Sequence, residues 1–512
     1  MPILTKHFTR KYTIIQNQDL NSKSLDSFEL SMVQNDKKLL IRANSAVAAA
    51  WGFNYYLKYY TNSSVFWSGK NINLDESDLP IVRQKIQLSS KDFVRFYQNI
   101  CTFSYSYVWW DWSRWQYEID WMALNGINMV YAQTAAEYPW IKVSNGYREL
   151  GISYVLPAFA GFVPDQIRRI YPFNNFTSAS DWIGLTMVDP LDPLFSRIGI
   201  AYNREVIRLF GPSGFYSADV FNEMLPKSGD LDYLAIVNQA VYDSLIAVDE
   251  NAIWVMQGWV FNQDFWNRTR VEAFLSRIPI GRLIILDLFS ETIPHFNDFS
   301  SYFGHSFVWN MLHNFGGANG IFGDIEKINQ LPDKARKLPN SSMIGVGITM
   351  EGIDQNEMIY EFMLEKTWRQ TLNQSQFSNW VLNYAARRYM TKNTPYVDQD
   401  FQSILGRIII NYSSRVFMRN VIYRTYDYQN KQLFTKRPSF NIRPEGIPNL
   451  EQFYSAWDDL VQKADDFAPS ALFRYDLIDF SKEVLRYFFD SQYSRLKNAW
   501  NQSDLYKFRD LD

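Results

Sequence analysis

Gly214-Phe215-Tyr216-Ser217-Ala218-Asp219-Val220-Phe221-Asn222-Glu223 is a short aromatic and β-branched run that ends on an Asn-Glu pair. The composition predicts a core strand with a carboxylate at its C-terminal end. A charge in that place is costly unless it is used or paired. A second run, Met343-Ile344-Gly345-Val346-Gly347-Ile348-Thr349-Met350-Glu351-Gly352, repeats the arrangement: an apolar strand that delivers Glu351 at its end. In a (β/α)8 barrel both carboxylates stand on the same catalytic rim. Two carboxyls there can divide glycoside hydrolysis, one protonating the leaving oxygen while the other attacks the anomeric carbon or activates water. The plainer alternative is two solvated strand-end acids that never meet.

The flanking sequence supports the barrel. From about Arg95 strands alternate with helices, as in parallel α/β folds. Expected strands are Val94–Cys101, Ile127–Tyr131, Ser153–Phe159, the Glu223 run, Ala252–Gln257, Leu283–Leu288, Ser306–Trp309 and the Glu351 run. Helices are expected over Trp112–Asn125, Pro193–Leu209, Leu231–Val248 and Arg270–Arg277, with Pro193 at a helix start. The two glutamates are about 130 residues apart. That is about three strand steps of roughly 43 residues, against about 31 per unit in a barrel of ordinary size, and places the acids on the fourth and seventh strands.

Ahead of the barrel, Phe28–Val33 and Lys38–Arg42 read as strands joined by a turn at Gln34–Lys37, followed by a helix over Ser45–Tyr60 and a strand at Val65–Trp67. Asp75–Pro80 reads as a polar connector. After Gly352 the pattern becomes helical: Gln355–Trp368, Ser375–Arg388, Val397–Asn411, Leu450–Lys463 and Ser470–Lys497, with a polar loop over Arg424–Pro448.

Composition narrows the function. The chain of 512 residues is 47% hydrophobic and 21% charged, with a net charge of −3, so no basic face for nucleic acid is expected. No stretch approaches 18 apolar residues, and the polar, basic Met1–Tyr12 has no apolar core of a signal segment. The aromatic share, 17% with 17 Trp and 32 Tyr, suits pockets for apolar sugar faces but also simple core filling. Cys101 is the single cysteine, so no internal disulfide forms, and His7, His295, His305 and His313 pair with no Cys or acid at metal-ligand spacing. No metal and no cofactor are expected. Cys101 with His313 could form a thiol nucleophile pair, although a buried packing cysteine fits the sequence better. Asn-x-Ser/Thr triplets begin at Asn62, Asn175, Asn267, Asn340, Asn373, Asn411 and Asn501, as expected of a glycoprotein but also of any Asn-rich and Ser-rich chain.

The wording of several motifs is more specific than their spacing. Arg95-Phe96-Tyr97-Gln98-Asn99-Ile100-Cys101-Thr102, Trp109-Trp110-Asp111-Trp112 and Glu118-Ile119-Asp120-Trp121-Met122-Ala123-Leu124-Asn125-Gly126-Ile127-Asn128 resemble the lysosomal α-N-acetylglucosaminidases, glycoside hydrolases that remove terminal α-linked N-acetylglucosamine from heparan sulfate. Leu156-Pro157-Ala158-Phe159-Ala160-Gly161, Ala218–Met224, Gln257-Gly258-Trp259, Leu286–Phe289, Met311–Gly317 and Glu351–Glu357 continue the resemblance, which runs from about Leu30 to about Tyr487. It implies a small N-terminal α/β domain at 27–88 after a polar extension at 1–26, a central (β/α)8 TIM barrel at 89–372, and a partial all-helical C-terminal domain at 373–512.

By position, the resemblance makes Glu223 the general acid/base and Glu351 the nucleophile of a retaining mechanism, with Glu223 partly desolvated so that it stays protonated. Asn222 would touch a sugar hydroxyl. Asn99, Cys101 and Tyr105 match the pocket floor, and Trp182, Trp259, Leu288, Leu312 and Phe315 the pocket walls. A heparan sulfate type glycan ending in N-acetylglucosamine is the implied partner, a lysosome the implied location, and a homo-oligomer is possible by the same resemblance; neither nucleic acid nor membrane is expected. Two departures stand out. Between the strands Ile127–Tyr131 and Ser153–Phe159 the family carries a longer segment, whereas this chain has only 21 residues, Ala132–Ile152. By the same resemblance, the chain is expected to stop partway into the helical domain. A scaffold or sugar-binding relative with impaired catalysis is therefore the competing expectation.

Overall fold

The computed structural model describes residues 12–16, 25–33, 38–75, 78–132, 139–178, 186–315, 321, 323–410, 426–427, 432–433 and 450–503. Its centre is a closed barrel of eight strands: β1 (Val94–Tyr97), β2 (Met129–Tyr131), β3 (Ser153–Pro157), β4 (Phe215–Ser217), β5 (Ile253–Gln257), β6 (Leu283–Asp287), β7 (Ser306–Met311) and β8 (Met343–Ile348). Each pairs in parallel with the next, and β8 closes on β1 through Gly345–Ile348 against Val94–Tyr97. The barrel expectation holds. Glu351, however, follows the eighth strand and not the seventh. Four strand steps of about 32 residues separate it from Glu223, close to the usual repeat, because no long loop interrupts β5 to β8.

Period-two alternation fills the barrel as its geometry requires. On β6, Ile284 and Leu286 point inward to join Val94, Phe96, Met129, Tyr131, Val155, Val255 and Val308, while Leu283 and Ile285 pack outward under the helices. At β8 the strands approach so closely that a Cβ on Gly345 would lie 2.2 Å from the Val94 carbonyl oxygen. Only glycine permits that pairing.

Helices start where short polar side chains can cap them. Asp111, Asp192 and Asp230 accept from the backbone N–H groups of Arg114, Leu194 and Tyr233, opening the helices Trp112–Leu124, Pro193–Phe210 and Leu231–Ile246. The remaining outer helices are Pro139–Glu149, Arg268–Leu275, Ile325–Arg336 and Glu357–Glu365, with two short turns of helix at His295–Asp298 and Ser300–Phe303 between β6 and β7.

Before the barrel, a four-stranded sheet carries Ser27–Val33 antiparallel to Lys38–Ala43, with Ile86–Ser89 on one edge and Tyr12–Gln16 on the other. The Tyr12–Gln16 strand falls inside the stretch read as a polar extension; its Tyr-Thr-Ile-Ile core has strand character that the charged flanks mask. The helix Ala46–Tyr60 lies beside this sheet, and Val65 sits in the hairpin Ser64–Phe66/Gly69–Asn71. The turn at Gln34–Lys37 lies outside the described residues. After the barrel come the helices Gln374–Tyr389, Gln399–Ile410, Leu450–Gln462 and Ala471–Asn501. Of the polar stretch 424–448, two short strands, Tyr426–Asp427 and Gln432–Leu433, are described.

A buried ion cluster joins the three parts. Arg388 donates to Glu357 at 2.6 Å, to both oxygens of Asp476 at 2.6 Å, and to Ser68 Oγ at 3.1 Å. Ser68 also donates twice to Glu357, at 2.7 Å each. Residues of the N-terminal hairpin, the segment after β8 and the C-terminal helices thus meet on one guanidinium whose fork satisfies two carboxylates at once. Among the described residues, no helix is long and apolar enough to cross a membrane.

Candidate active site

The C-terminal ends of the barrel strands surround a cavity of about 350 Å³. Its lining includes Asn99 and Cys101 after β1, Asp219, Asn222 and Glu223 after β4, Gln257 and Trp259 at the end of β5, Leu288 after β6, Leu312 after β7 and Glu351 after β8. The two glutamates, delivered from positions halfway around the barrel, border one space.

Each is held from outside its own strand. Glu351 donates its backbone N–H to the Asn314 carbonyl at 3.0 Å. The two preceding carbonyls, of Thr349 and Met350, accept from Asn99 Nδ2 at 3.0 Å and Thr102 Oγ at 2.8 Å, so the segment after β1 fixes the segment after β8. Asn99 Oδ1 also accepts from the Cys101 N–H at 2.8 Å. The thiol hydrogen-bonds to Glu351, and burial, then the negative charge of Glu351 and Glu223, pushes it up to about 12. Cys101 is therefore a neutral donor in this cavity and not a thiolate nucleophile. His313 is not part of the lining; its ring bonds Asn356 at 2.7 Å, and burial holds it neutral by lowering it to about 3.

Glu223 is reached through a bent segment. Phe221 and Asn222 adopt left-handed backbone, at φ 68° and 50°. Non-glycine residues occupy that region only where their surroundings impose it. Trp259 Nε1 donates to Glu223 Oε1 at 2.9 Å, and Gln263 Nε2 donates to the Glu223 carbonyl. Glu223 itself is exposed, so the protein alone does not supply the desolvation expected of it.

Of the residues singled out from sequence, Glu223, Glu351, Asn99, Cys101, Asn222, Trp259, Leu288 and Leu312 border the cavity. Phe315 stands one layer back, its ring 5.9 Å from Trp259 and 5.2 Å from Phe289. Tyr105 is not among the lining residues: the chain turns into the short helix Thr102–Tyr105, which carries the ring to the surface, 49% exposed. Trp182 lies outside the described residues. Sequence reading missed Asp219 and Gln257, which line the cavity and bond each other: Asp219 accepts from the Gln257 backbone N–H at 2.8 Å and from its side-chain amide. The signal was available, since Asp219 is a second acid in the same run, two residues past the end of β4. Behind the wall, Glu291 accepts from the N–H groups of Leu312 and His313 at 3.2 and 2.8 Å and so holds Leu312 in place. No group of three or more His, Cys, Asp or Glu among the described residues is arranged to hold a metal ion.

Comparison with known proteins decides the family. The models of the N-terminal, tim-barrel and C-terminal domains of alpha-N-acetylglucosaminidase match residues 4–81, residues 95–147 with 141–370, and residues 380–512. The chain is 34% identical to the human Alpha-N-acetylglucosaminidase (Homo sapiens), over 91% of this chain and 69% of that protein. This chain belongs to the alpha-N-acetylglucosaminidase family. Two solved structures of the family 89 glycoside hydrolase from Clostridium perfringens resemble this chain at 25% identity. One is a complex with 2-acetamido-1,2-dideoxynojirmycin, at TM-score 0.83, and the other a complex with PUGNAc, at 0.82. Each covers 98% of this chain, which in turn spans 61% of the bacterial chain's length. The barrel-domain match of the alpha-N-acetylglucosaminidase family falls in two parts that meet at residues 141–147, inside the segment 132–152.

Proposed function

We propose that this chain is a retaining exo-glycosidase that hydrolyses terminal α-linked N-acetyl-D-glucosamine, with heparan sulfate as the natural substrate class and the lysosome as its place of work. One observation carries the reading: Glu223 and Glu351, from the ends of β4 and β8, border a single sugar-sized cavity. The acetamido sugar mimic held by the Clostridium perfringens relative supports an acetamido sugar as the residue removed.

In the first step Glu351 attacks the anomeric carbon as Glu223 gives its proton to the leaving glycosidic oxygen, leaving a covalent glycosyl-enzyme. In the second, Glu223 takes a proton from water, and the water oxygen displaces Glu351. The neutral Cys101 thiol hydrogen-bonds to Glu351. Glu223 is open to solvent, and a bound sugar would exclude water from it. Asn222 is placed to meet a hydroxyl near the acid, and Trp259, Leu288 and Leu312 form the apolar walls.

Steady-state assay of phenyl α-N-acetylglucosaminide, whose unactivated leaving group needs protonation, tests this. Glu223→Gln and Glu351→Gln are each expected to remove nearly all turnover while leaving the melting temperature close to that of the parent. Near-parental activity in either variant overturns the assignment. The division of the family match at 141–147 favours a second reading, a scaffold that binds sugar without turning it over. Measurable N-acetylglucosamine binding with no turnover selects it.

A further inference from the structure

The segment that carries Glu223 is clasped at three points by the last residue of β5 and the segment that follows it. Asp219 accepts from Gln257 at both the backbone N–H and the side-chain amide, Trp259 donates to Glu223 Oε1, and Gln263 donates to the Glu223 carbonyl. Between the first clasp and the other two lie Phe221 and Asn222 with left-handed backbone. Strain of this kind persists only where surrounding contacts impose it. Gly258 leaves little slack, since a Cβ there would meet the Leu286 carbonyl oxygen at 3.1 Å.

Resting on the acid role read for Glu223 above, we propose that Asp219 is a positioning residue for Glu223. By fixing Gln257 twice, Asp219 sets the Gln257–Gly258–Trp259 turn, and that turn aims the indole that holds the Glu223 carboxyl. Asp219 acts through Gln257 and Trp259, so its loss harms the step that depends on where the Glu223 proton sits. It does not harm sugar binding in general.

The test measures kcat/KM of the full chain on aryl α-N-acetylglucosaminides whose leaving groups run from dinitrophenol, which departs without protonation, to an unactivated phenol, which requires it. D219N is expected to lose up to about 100-fold on the phenol, the scale of a misplaced catalytic group, and less than about threefold on dinitrophenol, where general acid help contributes little. Q257M keeps the backbone donor and loses the amide, and is expected to show the same trend with a smaller loss. It carries the comparison if D219N does not fold. Equal losses on every leaving group overturn the proposal, as does an effect confined to KM, which would put Asp219 on the sugar. E223Q is run alongside. A steep leaving-group dependence in E223Q with none in D219N and Q257M overturns the positioning role alone; no dependence in E223Q overturns the acid assignment and the proposal with it.

Discussion

The indole Nε1–H of Trp259 lies 2.9 Å from Glu223 Oε1 and donates to it. The same ring packs against Phe315 at 5.9 Å, so one side chain both shapes the apolar wall and orients a carboxyl. Trp259→Phe keeps an aromatic wall and removes the donor. A hydrogen bond of this kind is worth about 0.5–1.5 kcal/mol, and solvent around this exposed carboxyl reduces that. The expected result is a loss of up to about tenfold in kcat/KM with little change in melting temperature. Parental kcat/KM would show that the bond does not guide the acid.

Gly345→Ala places a methyl group where β8 meets β1, 2.2 Å from the Val94 carbonyl oxygen and 2.7 Å from its Cβ. The strands must separate to admit it. Overpacking of this kind costs about 1–3 kcal/mol. Urea unfolding should show the loss, and activity should fall with it because Glu351 hangs from the same strand.

Arg388→Ala leaves Glu357 and Asp476 facing each other without their shared cation. Breaking a buried pair in this way costs about 3–5 kcal/mol. Arg388→Lys cannot fork to both carboxylates and should recover only part of the loss in a thermal melt.

Burial pushes three carboxyls up to neutral pH or above: Asp287 and Glu483 to about 7, and Glu291 to about 8. In the unfolded chain they titrate near about 4. Between those values the folded protein binds more protons than the unfolded one, so stability is greater at low pH and is lost as pH rises through the folded values. His313, lowered to about 3 by burial, acts in the opposite sense below about 6.5. Above that pH the carboxyls act without it, and the melting temperature should fall between about pH 6.5 and about pH 8. Glu291→Gln should flatten the slope. A melting temperature that rises across the window contradicts these assignments.

The barrel was legible because its strands are short apolar runs in regular alternation with capped helices, and both glutamates stood out as charges at the ends of such runs. Other features were hidden for physical reasons. The helix Ile325–Arg336 carries Pro332 in its interior, which breaks the local pattern. The Tyr12–Gln16 strand finds its partner, Lys38–Ala43, only across intervening sequence. Tyr105 follows Cys101 by four residues, and whether it enters the cavity depends on how the chain turns after Thr102. Asp219 sits in plain view four residues before Glu223, but its use depends on Gln257, 38 residues further on.

Azide rescue of the two alanine variants tests the pairing of the glutamates most directly, because the product records the face from which azide arrived. With Glu223→Ala, azide should resolve the glycosyl-enzyme and yield the α-glycosyl azide. With Glu351→Ala, azide should take the place of the missing carboxylate and yield the β-glycosyl azide. The same anomer from both variants, or the reverse assignment, would contradict a double displacement shared by Glu223 and Glu351.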